Sequence, residues 1–349
     1  MQAVIRCDAG SVIGGGHLVR CGALGTALRQ SGFEIAFAVS NETMTTFPQL
    51  FADFPDTLKG MTATESDVER MASHWPSGVE LAVVDHYGLG EGFERGMAGW
   101  ARKVLVIDDA PSRRHVCTHL VDTTFRRRAE EYGAQVESGT VLLCGSDYAM
   151  LRQSFRKERY AALERVPRAV RRVLISMGLS DNANATQAVL EGLLDAGGTY
   201  EVDCVLGSAA PHLYAVGTAI AAGGPGWRLH TDADAQTMAA LTGAADLVIG
   251  APGSASYERC CLGRPALLLV VADNQLHNAA ALQEAGAAIV IGQFSHDTAD
   301  RVANAVRMLA ADPTKLRDMH LAAAVVCDGK GVDRVVEAVL NSRALAPRY

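Results

Sequence analysis

The chain has 349 residues, of which 49% are hydrophobic and 20% are charged, so it is long enough for two packed cores and too apolar for a disordered protein. Lysine and arginine total 32 against 39 for aspartate and glutamate, which gives a net charge of -7 without a strongly basic segment. This balance argues against DNA or RNA as a partner.

Short apolar runs bounded by turn residues recur in the first half of the chain and are typical of buried parallel strands. These runs are Ala3 to Cys7, Ile35 to Val39, Leu81 to Asp85, Lys103 to Asp108 and Val141 to Gly145. Helix-like stretches lie between several of them, such as Leu18 to Gln30, whose apolar residues fall on one face at helical spacing. The alternation predicts right-handed βαβ units.

A charge-dense segment from Ser154 to Arg172, interrupted by Pro167, is unsuited to the interior of a sheet and predicts a domain boundary. We therefore expect a first domain over residues 1–155 and a second over residues 156–349. The apolar runs restart at Arg172 to Met177, Val202 to Leu206, Trp227 to Thr231, Asp246 to Ala251, Ala266 to Ala272 and Ala287 to Gly292. We assign to the second domain a final amphipathic helix within Asp328 to Tyr349.

The predicted fold class is α/β, with two Rossmann-like, doubly wound parallel-sheet domains and a cleft between them. Such sheets bind ligands beyond the carboxyl ends of their strands. The polar and glycine-rich segments that follow the predicted strands are therefore the first candidates for function.

A glycine-rich segment follows the first predicted strand: Asp8-Ala9-Gly10-Ser11 leads through Ile13-Gly14-Gly15-Gly16 to His17. Glycines let the backbone approach a ligand, and free helix N–H groups favour an anion at this point. His17 would lie in the first helical turn, where the helix dipole disfavours protonation and keeps the imidazole a neutral base. The alternative is an ordinary turn with His17 as a solvated cap, because the segment lacks the full GxGxxG spacing.

Polar residues also follow two later strands of the first half, as Asp85-His86-Tyr87 and as Asp108-Asp109. For Asp108 and Asp109 the sequence favours helix capping or loop bracing, because adjacent side chains point apart on an extended chain. For Asp85, His86 and Tyr87 a role in the site and a structural role are equally open.

In the second half, two small-residue turns precede helices and suit the binding of phosphate groups: Ser176 to Asn182 and Gly250 to Ser256. Glu258 follows the second turn closely enough to accept hydrogen bonds from the two hydroxyls of a ribose, although an acid is favoured in a first helical turn in any case. Asn274 and Gln275 follow the next strand and could bind a polar substrate or simply form a turn.

Eight cysteines are scattered without a CxxC pair or a Cys/His spacing that suggests zinc, so reduced, buried thiols and no metal site are expected. The first residues do not have the pattern of a secretory signal, and no apolar run approaches the length needed to span a bilayer. We therefore expect a cytoplasmic protein without membrane insertion, and a monomer.

Seven segments agree in order with one known family, over nearly the whole chain. They are RCDAGSVIGGGHLVRCGALGTAL, VVDHYGLG, VLVIDDAPSRRHVCTHLVD, CGSDYAMLRQSF, ISMGLSDNANAT, ADLVIGAPGSASYERCCLGRPALLLVVADNQ and CDGKGVDRVV. The chain resembles the UDP-sugar hydrolases of pseudaminic acid biosynthesis, relatives of MurG-type glycosyltransferases with the GT-B fold. The resemblance implies inverting hydrolysis of UDP-2,4-diacetamido-2,4,6-trideoxy-β-L-altrose to UDP and free sugar, without a metal or other cofactor, in a pathway that serves flagellin glycosylation.

The resemblance also implies a role for each matching residue. His17 would orient or deprotonate the water that attacks the anomeric carbon. The sugar pocket would be shaped by Asp8, Gly14, Gly16 and Tyr87, with Asn274 and Gln275 holding the sugar or the diphosphate. UDP would be held by Gly178, Ser180, Gly253, Ser254 and Glu258.

The chain departs from the family pattern at three places, which bear on the sugar it accepts. Gly10 stands where a second serine is usual, Leu179 where a glycine is usual, and Thr123-Thr124-Phe125 where a segment with asparagine is usual. Leu179 restricts backbone angles that glycine would permit beside a phosphate-binding turn.

Two other functions fit the same sequence. One is a MurG-like glycosyltransferase with a UDP-sugar donor, because fold does not decide the reaction. The other is a nucleotide-sugar binding protein without turnover. A dehydrogenase is disfavoured, because neither glycine segment has the dinucleotide spacing followed about 20 residues later by an acidic strand end.

Overall fold

The structure, a computed structural model, describes residues 1–10 and 13–342 as alternating strands and helices. The strands are β1 (Gln2–Cys7), β2 (Glu34–Val39), β3 (Thr57–Lys59), β4 (Val79–Asp85), β5 (Ala101–Ile107), β6 (His119–Asp122), β7 (Val141–Cys144), β8 (Arg172–Ser176), β9 (Glu201–Leu206), β10 (Trp227–Thr231), β11 (Leu247–Gly250), β12 (Ala266–Val270) and β13 (Ala288–Gln293). The helices are α1 (Gly16–Gln30), α2 (Asn41–Thr46), α3 (Ser66–His74), α4 (Glu91–Trp100), α5 (Gln153–Glu164), α6 (Ala185–Ala196), α7 (Leu213–Ala222), α8 (Ala235–Ala244), α9 (Ala255–Cys261), α10 (Leu276–Glu284), α11 (Thr298–Ala311), α12 (Pro313–Val326) and α13 (Gly331–Asn341). Ser11 of the glycine-rich segment and residues 343–349 of the predicted final helix lie outside the described residues.

All strands pair in parallel, in two separate sheets. The first sheet has the order β3-β2-β1-β4-β5-β6-β7, and the second has the order β10-β9-β8-β11-β12-β13. The strand order reverses direction between β1 and β4 in the first sheet and between β8 and β11 in the second. The predicted fold class, α/β with two Rossmann-like parallel-sheet domains, is confirmed.

The predicted apolar runs correspond to observed strands, with ends that differ by at most two residues. The side chains of the central strands are buried on both faces, as expected for strands covered by helices, whereas those of the edge strands β7, β10 and β13 are only partly buried. Sequence patterning missed β3 and β6, which have three and four residues. Both are short and carry polar residues, so neither produces a continuous apolar run.

The chain divides into two compact units that differ from the predicted domains. The first unit contains residues 1–150 together with the segment from residue 330, and the second contains residues 151–329. Assignment of the final helix to the second domain was therefore wrong. Helix α13 packs on α1, and the buried Lys103 donates a hydrogen bond to the carbonyl of Val339, 2.7 Å away, near the carboxyl end of α13. A cation is favoured at that end of a helix.

The charge-dense segment that suggested the boundary is itself ordered structure of the second unit. Most of it forms α5, which buries Phe155 and Ala162 and exposes charged side chains. Arg159 on this helix donates to the carbonyls of Ala324, at 2.8 Å, and Cys327, at 3.0 Å. Its arginines therefore satisfy backbone carbonyls of neighbouring segments.

The eight cysteines are free thiols, and all but Cys144 are buried. Over residues 1–10 and 13–342, the helices are too short or too polar to cross a bilayer.

Candidate active site

The strand order of the first sheet brings the candidate residues of the first unit together. Strand β1 pairs with β4 so that Cys7 lies opposite Asp85, and both strands end there. The glycine-rich segment then folds back: Gly14 has a φ of 76° and donates to the carbonyl of Gly10 at 2.8 Å. Glycine tolerates this left-handed conformation without strain. Helix α1 starts immediately afterwards, with His17 in its first turn.

His17 forms a buried hydrogen-bonded pair with Asp85. Nδ1 of His17 lies 2.6 Å from Oδ1 of Asp85, and the two residues are 6% and 1% exposed. An ionised carboxylate only accepts hydrogen bonds, so Nδ1 carries the hydrogen and Nε2 retains its lone pair. Within the described residues, no hydrogen bond reaches Nε2. The imidazole is thus held in the tautomer that a general base requires.

Arg20 joins this pair to a second carboxylate. Its Nε donates to Oδ2 of Asp85 at 2.7 Å, and its Nη2 donates to Oδ1 of Asp85 at 2.6 Å. Its Nη1 donates to Oδ1 of Asp109 at 2.8 Å, and Nη2 lies 3.1 Å from Oδ2 of Asp109. Each carboxylate is therefore held by two nitrogens of one guanidinium, the geometry in which arginine binds carboxylates most strongly.

Tyr87 completes the cluster on the exposed side. Its hydroxyl donates to Oδ2 of Asp109 at 2.5 Å, and its ring meets the ring of His17 edge to face, with centroids 4.7 Å apart. Burial and the charge of Asp109 raise the pKa of the Tyr87 hydroxyl well above its ordinary value. The hydroxyl therefore stays protonated and remains a donor.

Arg20 keeps the two carboxylates of the cluster, Asp85 and Asp109, ionised. Burial alone would raise the pKa of Asp85, but the charge of Arg20 and the contact with His17 hold it well below its ordinary value. Burial also opposes ionisation of Asp109, and Arg20 again lowers its pKa. Both carboxylates are therefore ionised near neutral pH.

Asp8 and His86 lie at the same edge of the sheet but are occupied by protein partners. Oδ1 of Asp8 accepts from the backbone N–H of Ser40 at 2.6 Å, and Oδ2 lies 2.8 Å from Nη1 of Arg6 and 3.3 Å from Nε2 of His86. Burial would raise the pKa of Asp8, but the hydrogen bond from His86 and the charge of Arg6 hold it well below its ordinary value. Asp8 thus braces the loop after β1.

The adjacent acids Asp108 and Asp109 have separate partners, as their neighbouring positions predict. Asp108 accepts from Arg113 at 3.2 Å and from the Tyr132 hydroxyl at 3.0 Å, and it lies 3.4 Å from Nε2 of His115. It braces the loop after β5, whereas Asp109 belongs to the His17 cluster. The sequence favoured capping or bracing for both acids, and the structure shows a bracing role for Asp108 but a place in the His17 cluster for Asp109.

In the second unit, the two small-residue turns lie side by side, because Ser176 at the end of β8 pairs with Gly250 at the end of β11. Gly178 has a φ of 110° and an exposed backbone, which suits close approach of a ligand. However, the carboxylate of Asp181 accepts from the N–H groups of Ala185, at 3.0 Å, and Thr186, at 2.8 Å. The position of the first turn had suggested that these N–H groups of α6 could bind a phosphate, but they are already bound to Asp181.

Glu258 is nine-tenths buried and is held by an arginine. Nη2 and Nε of Arg152 donate to its Oε1 at 2.9 Å and 3.2 Å, and within the described residues no hydrogen bond reaches Oε2. The neighbouring turn residues differ in exposure: Ser254 is exposed and Gly253 is half-buried. The carboxylate is thus fixed in direction with one oxygen left to accept hydrogen bonds.

A second arginine lies beneath the same turn. Nη2 of the buried Arg259 donates to the carbonyl of Ala251 at 2.7 Å and to Oγ of Ser256 at 2.8 Å. Burial lowers the pKa of Arg259 to about 10, so the side chain stays charged at neutral pH. It places a positive charge under the backbone of residues 250–254.

The remaining predicted residues follow β12. Asn274 is exposed, and Gln275 uses its Oε1 to accept from the backbone N–H of Val271 at 3.0 Å, which braces this turn.

At the positions that depart from the family pattern, a side chain on Gly10 would collide with the carboxylate of Glu42, and the carbonyl of Leu179 accepts from the N–H of Gly207 at 2.8 Å. Thr123 and Thr124 are buried beside β6.

Sequence reasoning missed Arg20, which holds the cluster together. The signal was present, because Arg20 follows His17 by three residues and the two side chains must share a face of α1. Among the described residues, no group of three histidine, cysteine, aspartate or glutamate side chains is arranged to hold a metal ion.

Part of the second half of the chain matches a known domain family, and the whole chain is similar in fold to solved structures. Residues 234–335 match the model of the glycosyltransferase family 28 C-terminal domain, a range that includes the turn after β11 and Glu258. The crystal structure of Acinetobacter baumannii MurG superposes with a TM-score of 0.67 at 15% identity, covering 98% of this chain and 100% of that chain. At this identity the likeness concerns the fold, which is the two-domain GT-B fold.

Two relatives are closer in sequence. The spore coat polysaccharide biosynthesis protein SpsG of Bacillus subtilis is 28% identical over 206 residues, 57% of this chain and 58% of that protein. A UDP-N-acetylglucosamine--N-acetylmuramyl-(pentapeptide) pyrophosphoryl-undecaprenol N-acetylglucosamine transferase of Sorangium cellulosum is 38% identical over 117 residues, 32% of this chain and 28% of that protein. The chain thus spans less than two thirds of the length of either relative.

Proposed function

We propose that this protein is a metal-independent hydrolase of a nucleotide-activated sugar, with UDP-2,4-diacetamido-2,4,6-trideoxy-β-L-altrose of pseudaminic acid biosynthesis as its substrate. The observation that carries the proposal is the 2.6 Å contact between Nδ1 of His17 and Asp85, which leaves Nε2 as a base at a strand end of the first sheet. The resemblance over seven segments supplies the sugar. The relationship to a polysaccharide biosynthesis protein and to a UDP-sugar transferase supports the substrate class.

In the proposed reaction, Nε2 of His17 takes a proton from water while the water oxygen bonds to the anomeric carbon. The bond from that carbon to the diphosphate oxygen breaks at the same time, so UDP leaves with the bonding electrons and the configuration inverts. Asp85 stabilises the imidazolium that forms, as a buried carboxylate does in hydrolytic triads. The charge that develops on UDP can be stabilised by backbone N–H groups and other hydrogen-bond donors.

We assign UDP binding to the second unit. Glu258, with Oε2 available, would accept hydrogen bonds from the ribose hydroxyls, and the backbone of Gly253 and Ser254, above the charge of Arg259, would bind phosphate. Gly178 and Ser180 would contribute from the neighbouring turn. The match to the family 28 C-terminal domain over residues 234–335 supports this assignment.

We assign the sugar to residues of the first unit and the turn after β12. Tyr87, Gly14 and Gly16 would contact it directly, whereas Asp8 would act by holding the loop after β1 in shape. Asn274 would contact the sugar or the diphosphate, and Gln275 would hold that turn.

A glycosyltransferase is the second candidate, because the family 28 match and the Sorangium cellulosum relative both point to sugar transfer. In that case His17 would deprotonate an acceptor hydroxyl instead of water. A third candidate, a nucleotide-sugar binding protein without turnover, makes no use of the His17–Asp85 pair.

The test is to incubate the purified protein with a panel of UDP-sugars and to follow UDP release and the anomeric configuration of the free sugar by NMR. We expect release of UDP from the diacetamido-trideoxy sugar in water alone, with the inverted anomer formed first. His17→Gln should abolish release while UDP still binds, and His74→Gln, at an exposed histidine at the end of α3, should behave as wild type. Binding without UDP release would refute hydrolysis, and release only after a sugar acceptor is added would establish the transferase.

A further inference from the structure

Both hydrogens on Nη2 of Arg20 are committed beside the His17–Asp85 pair. Nη2 has two hydrogens, and they are directed to Oδ1 of Asp85 at 2.6 Å and Oδ2 of Asp109 at 3.1 Å. Nη2 also lies 3.2 Å from Nδ1 of His17. With both hydrogens used, this last approach places a positive charge beside the imidazole without supplying a hydrogen bond to it.

This arrangement acts on His17 in two ways. The carboxylate of Asp85 favours protonation of the imidazole, and the guanidinium of Arg20, which is bound to the same carboxylate, opposes it. Arg20 also fixes both oxygens of Asp85, so Oδ1 faces Nδ1 and the imidazole must donate from that nitrogen.

Within the described residues, Cys21, Tyr87 and Asp109 also lie around the His17–Asp85 pair and Arg20. Cys21, one turn further along α1, contacts Oδ2 of Asp85 at 3.3 Å and lies against Cys7 of β1. Tyr87 covers the ring of His17, and Asp109 compensates the charge of Arg20 from the loop after β5. Arg20 is the cation in direct contact with the pair, and Asp109 is the second anion that it binds.

We propose that Arg20 is a positioning residue that holds the imidazole of His17 in the Nδ1–H tautomer and opposes the pull of Asp85 towards protonation, with Asp109 setting how strongly it does so. The inference rests on the proposed function only in taking His17 as the base. It predicts opposite effects for two substitutions. Arg20→Met removes the cation and should make His17 easier to protonate, whereas Asp109→Asn leaves the cation less compensated and should make His17 harder to protonate.

The test is a pH titration of the full-length protein with ¹⁵N-labelled histidine, followed through two-bond ¹H–¹⁵N correlations. These correlations distinguish the two neutral tautomers from the imidazolium, and the spectrum of His17→Gln assigns the signals of His17. We expect the neutral imidazole of His17 in the wild type to be the Nδ1–H tautomer. The midpoint for His17 should rise in Arg20→Met by about 1 to 3 pH units, the effect of one charge within about 4 to 6 Å.

Two further variants keep the experiment decisive if Arg20→Met does not fold. Asp109→Asn should lower the midpoint of the His17 titration. Arg20→Lys should raise this midpoint less than Arg20→Met does, because lysine keeps the positive charge but cannot form the paired hydrogen bonds to both carboxylates. The control is Arg29→Met, on the same helix, where the guanidinium binds the carbonyl of Asp53 and should leave the midpoint unchanged.

An unchanged midpoint and tautomer in the Arg20 variants, or shifts of the same sign for Arg20 and Asp109, would overturn the inference. The readout does not depend on turnover. Opposite shifts in a protein that releases no UDP would therefore refute the proposed function alone, and UDP release without the shifts would refute the role of Arg20 alone.

Discussion

Asp85 ends β4 and His17 begins α1, and the two side chains are joined at 2.6 Å although 68 positions separate them in the chain. The pairing follows from topology, because β1 and β4 are neighbours at the point where the strand order reverses. Residues that follow these two strands must meet at one edge of the sheet. The same relationship makes the role of Asp85 testable.

Asp85→Asn should lower kcat by about 100-fold to 10,000-fold with little change in KM, as loss of the orienting carboxylate does in a hydrolytic triad. An asparagine can offer its amide to Nδ1 and so stabilise the wrong tautomer of His17. The measurement is steady-state UDP release by wild type and variant, with Glu80→Gln on the outer part of β4 as control. A variant that keeps wild-type kcat would show that Asp85 only supports the fold.

The fold could be predicted from the sequence because parallel strands buried on both faces leave continuous apolar runs. The two strands that were missed, β3 and β6, are short and partly polar, and their pairing is decided by neighbouring strands. Helix α13 was correctly predicted but assigned to the wrong unit, because an amphipathic pattern shows that a helix has an apolar face and does not show which surface covers it.

The candidate site shows the same limit. Ligands of parallel sheets bind beyond the carboxyl ends of the strands, and this rule located His17, Asp85 and Tyr87 in one region. Which side chains form hydrogen bonds with each other depends on the direction of each side chain, and the sequence does not give that direction. Arg20 was overlooked because a lone arginine on a helix is usually solvated. Asp181 shows the reverse case, since its role as a helix cap removes N–H groups that had suggested a phosphate site.

His115 should make the stability of the first unit fall at alkaline pH. Burial opposes its protonation, but the contact of its Nε2 with Asp108, at 3.4 Å, and the hydrogen bond of its Nδ1 with Glu94, at 2.8 Å, raise its pKa to about 9. A pKa that is raised in the folded state gives stability that is fully present below the unfolded value, near 6.5, and that is lost as pH rises through 9. The loss should be on the order of 3 kcal/mol.

The measurement is urea unfolding between pH 6 and pH 10, with His115→Gln expected to be less stable near neutral pH and to lack most of this dependence. The matched control is His74→Gln, at an exposed position, which should retain the wild-type slope. A wild-type free energy of unfolding that stays constant over this range would contradict a charged His115.

Tyr87 should separate catalysis from substrate binding. Tyr87→Phe keeps the ring against His17 and loses the hydrogen bond to Asp109, so we expect kcat to fall by about 10-fold or less with KM nearly unchanged. Tyr87→Ala removes the half-exposed ring as well, and KM should rise by about 10-fold. The control is Tyr160→Ala, which is 76% exposed in the second unit. Equal losses in both Tyr87 variants would assign the whole effect to the hydroxyl.

Glu258 should recognise the ribose rather than the phosphates. If Oε2 accepts hydrogen bonds from the ribose hydroxyls, the wild type should bind UDP more tightly than 2′-deoxy-UDP by about 10-fold or more, because a lost partner leaves a buried charged acceptor unpaired. Glu258→Gln should weaken UDP binding and largely remove this discrimination, while the affinity for 2′-deoxy-UDP changes little. The measurement is calorimetric titration with both nucleotides, and Glu201→Gln, at an exposed ion pair of the same unit, is the matched control. If Glu258→Gln weakened both nucleotides equally, the carboxylate would instead act by holding Arg152 and the turn after β11, and the ribose would have another partner.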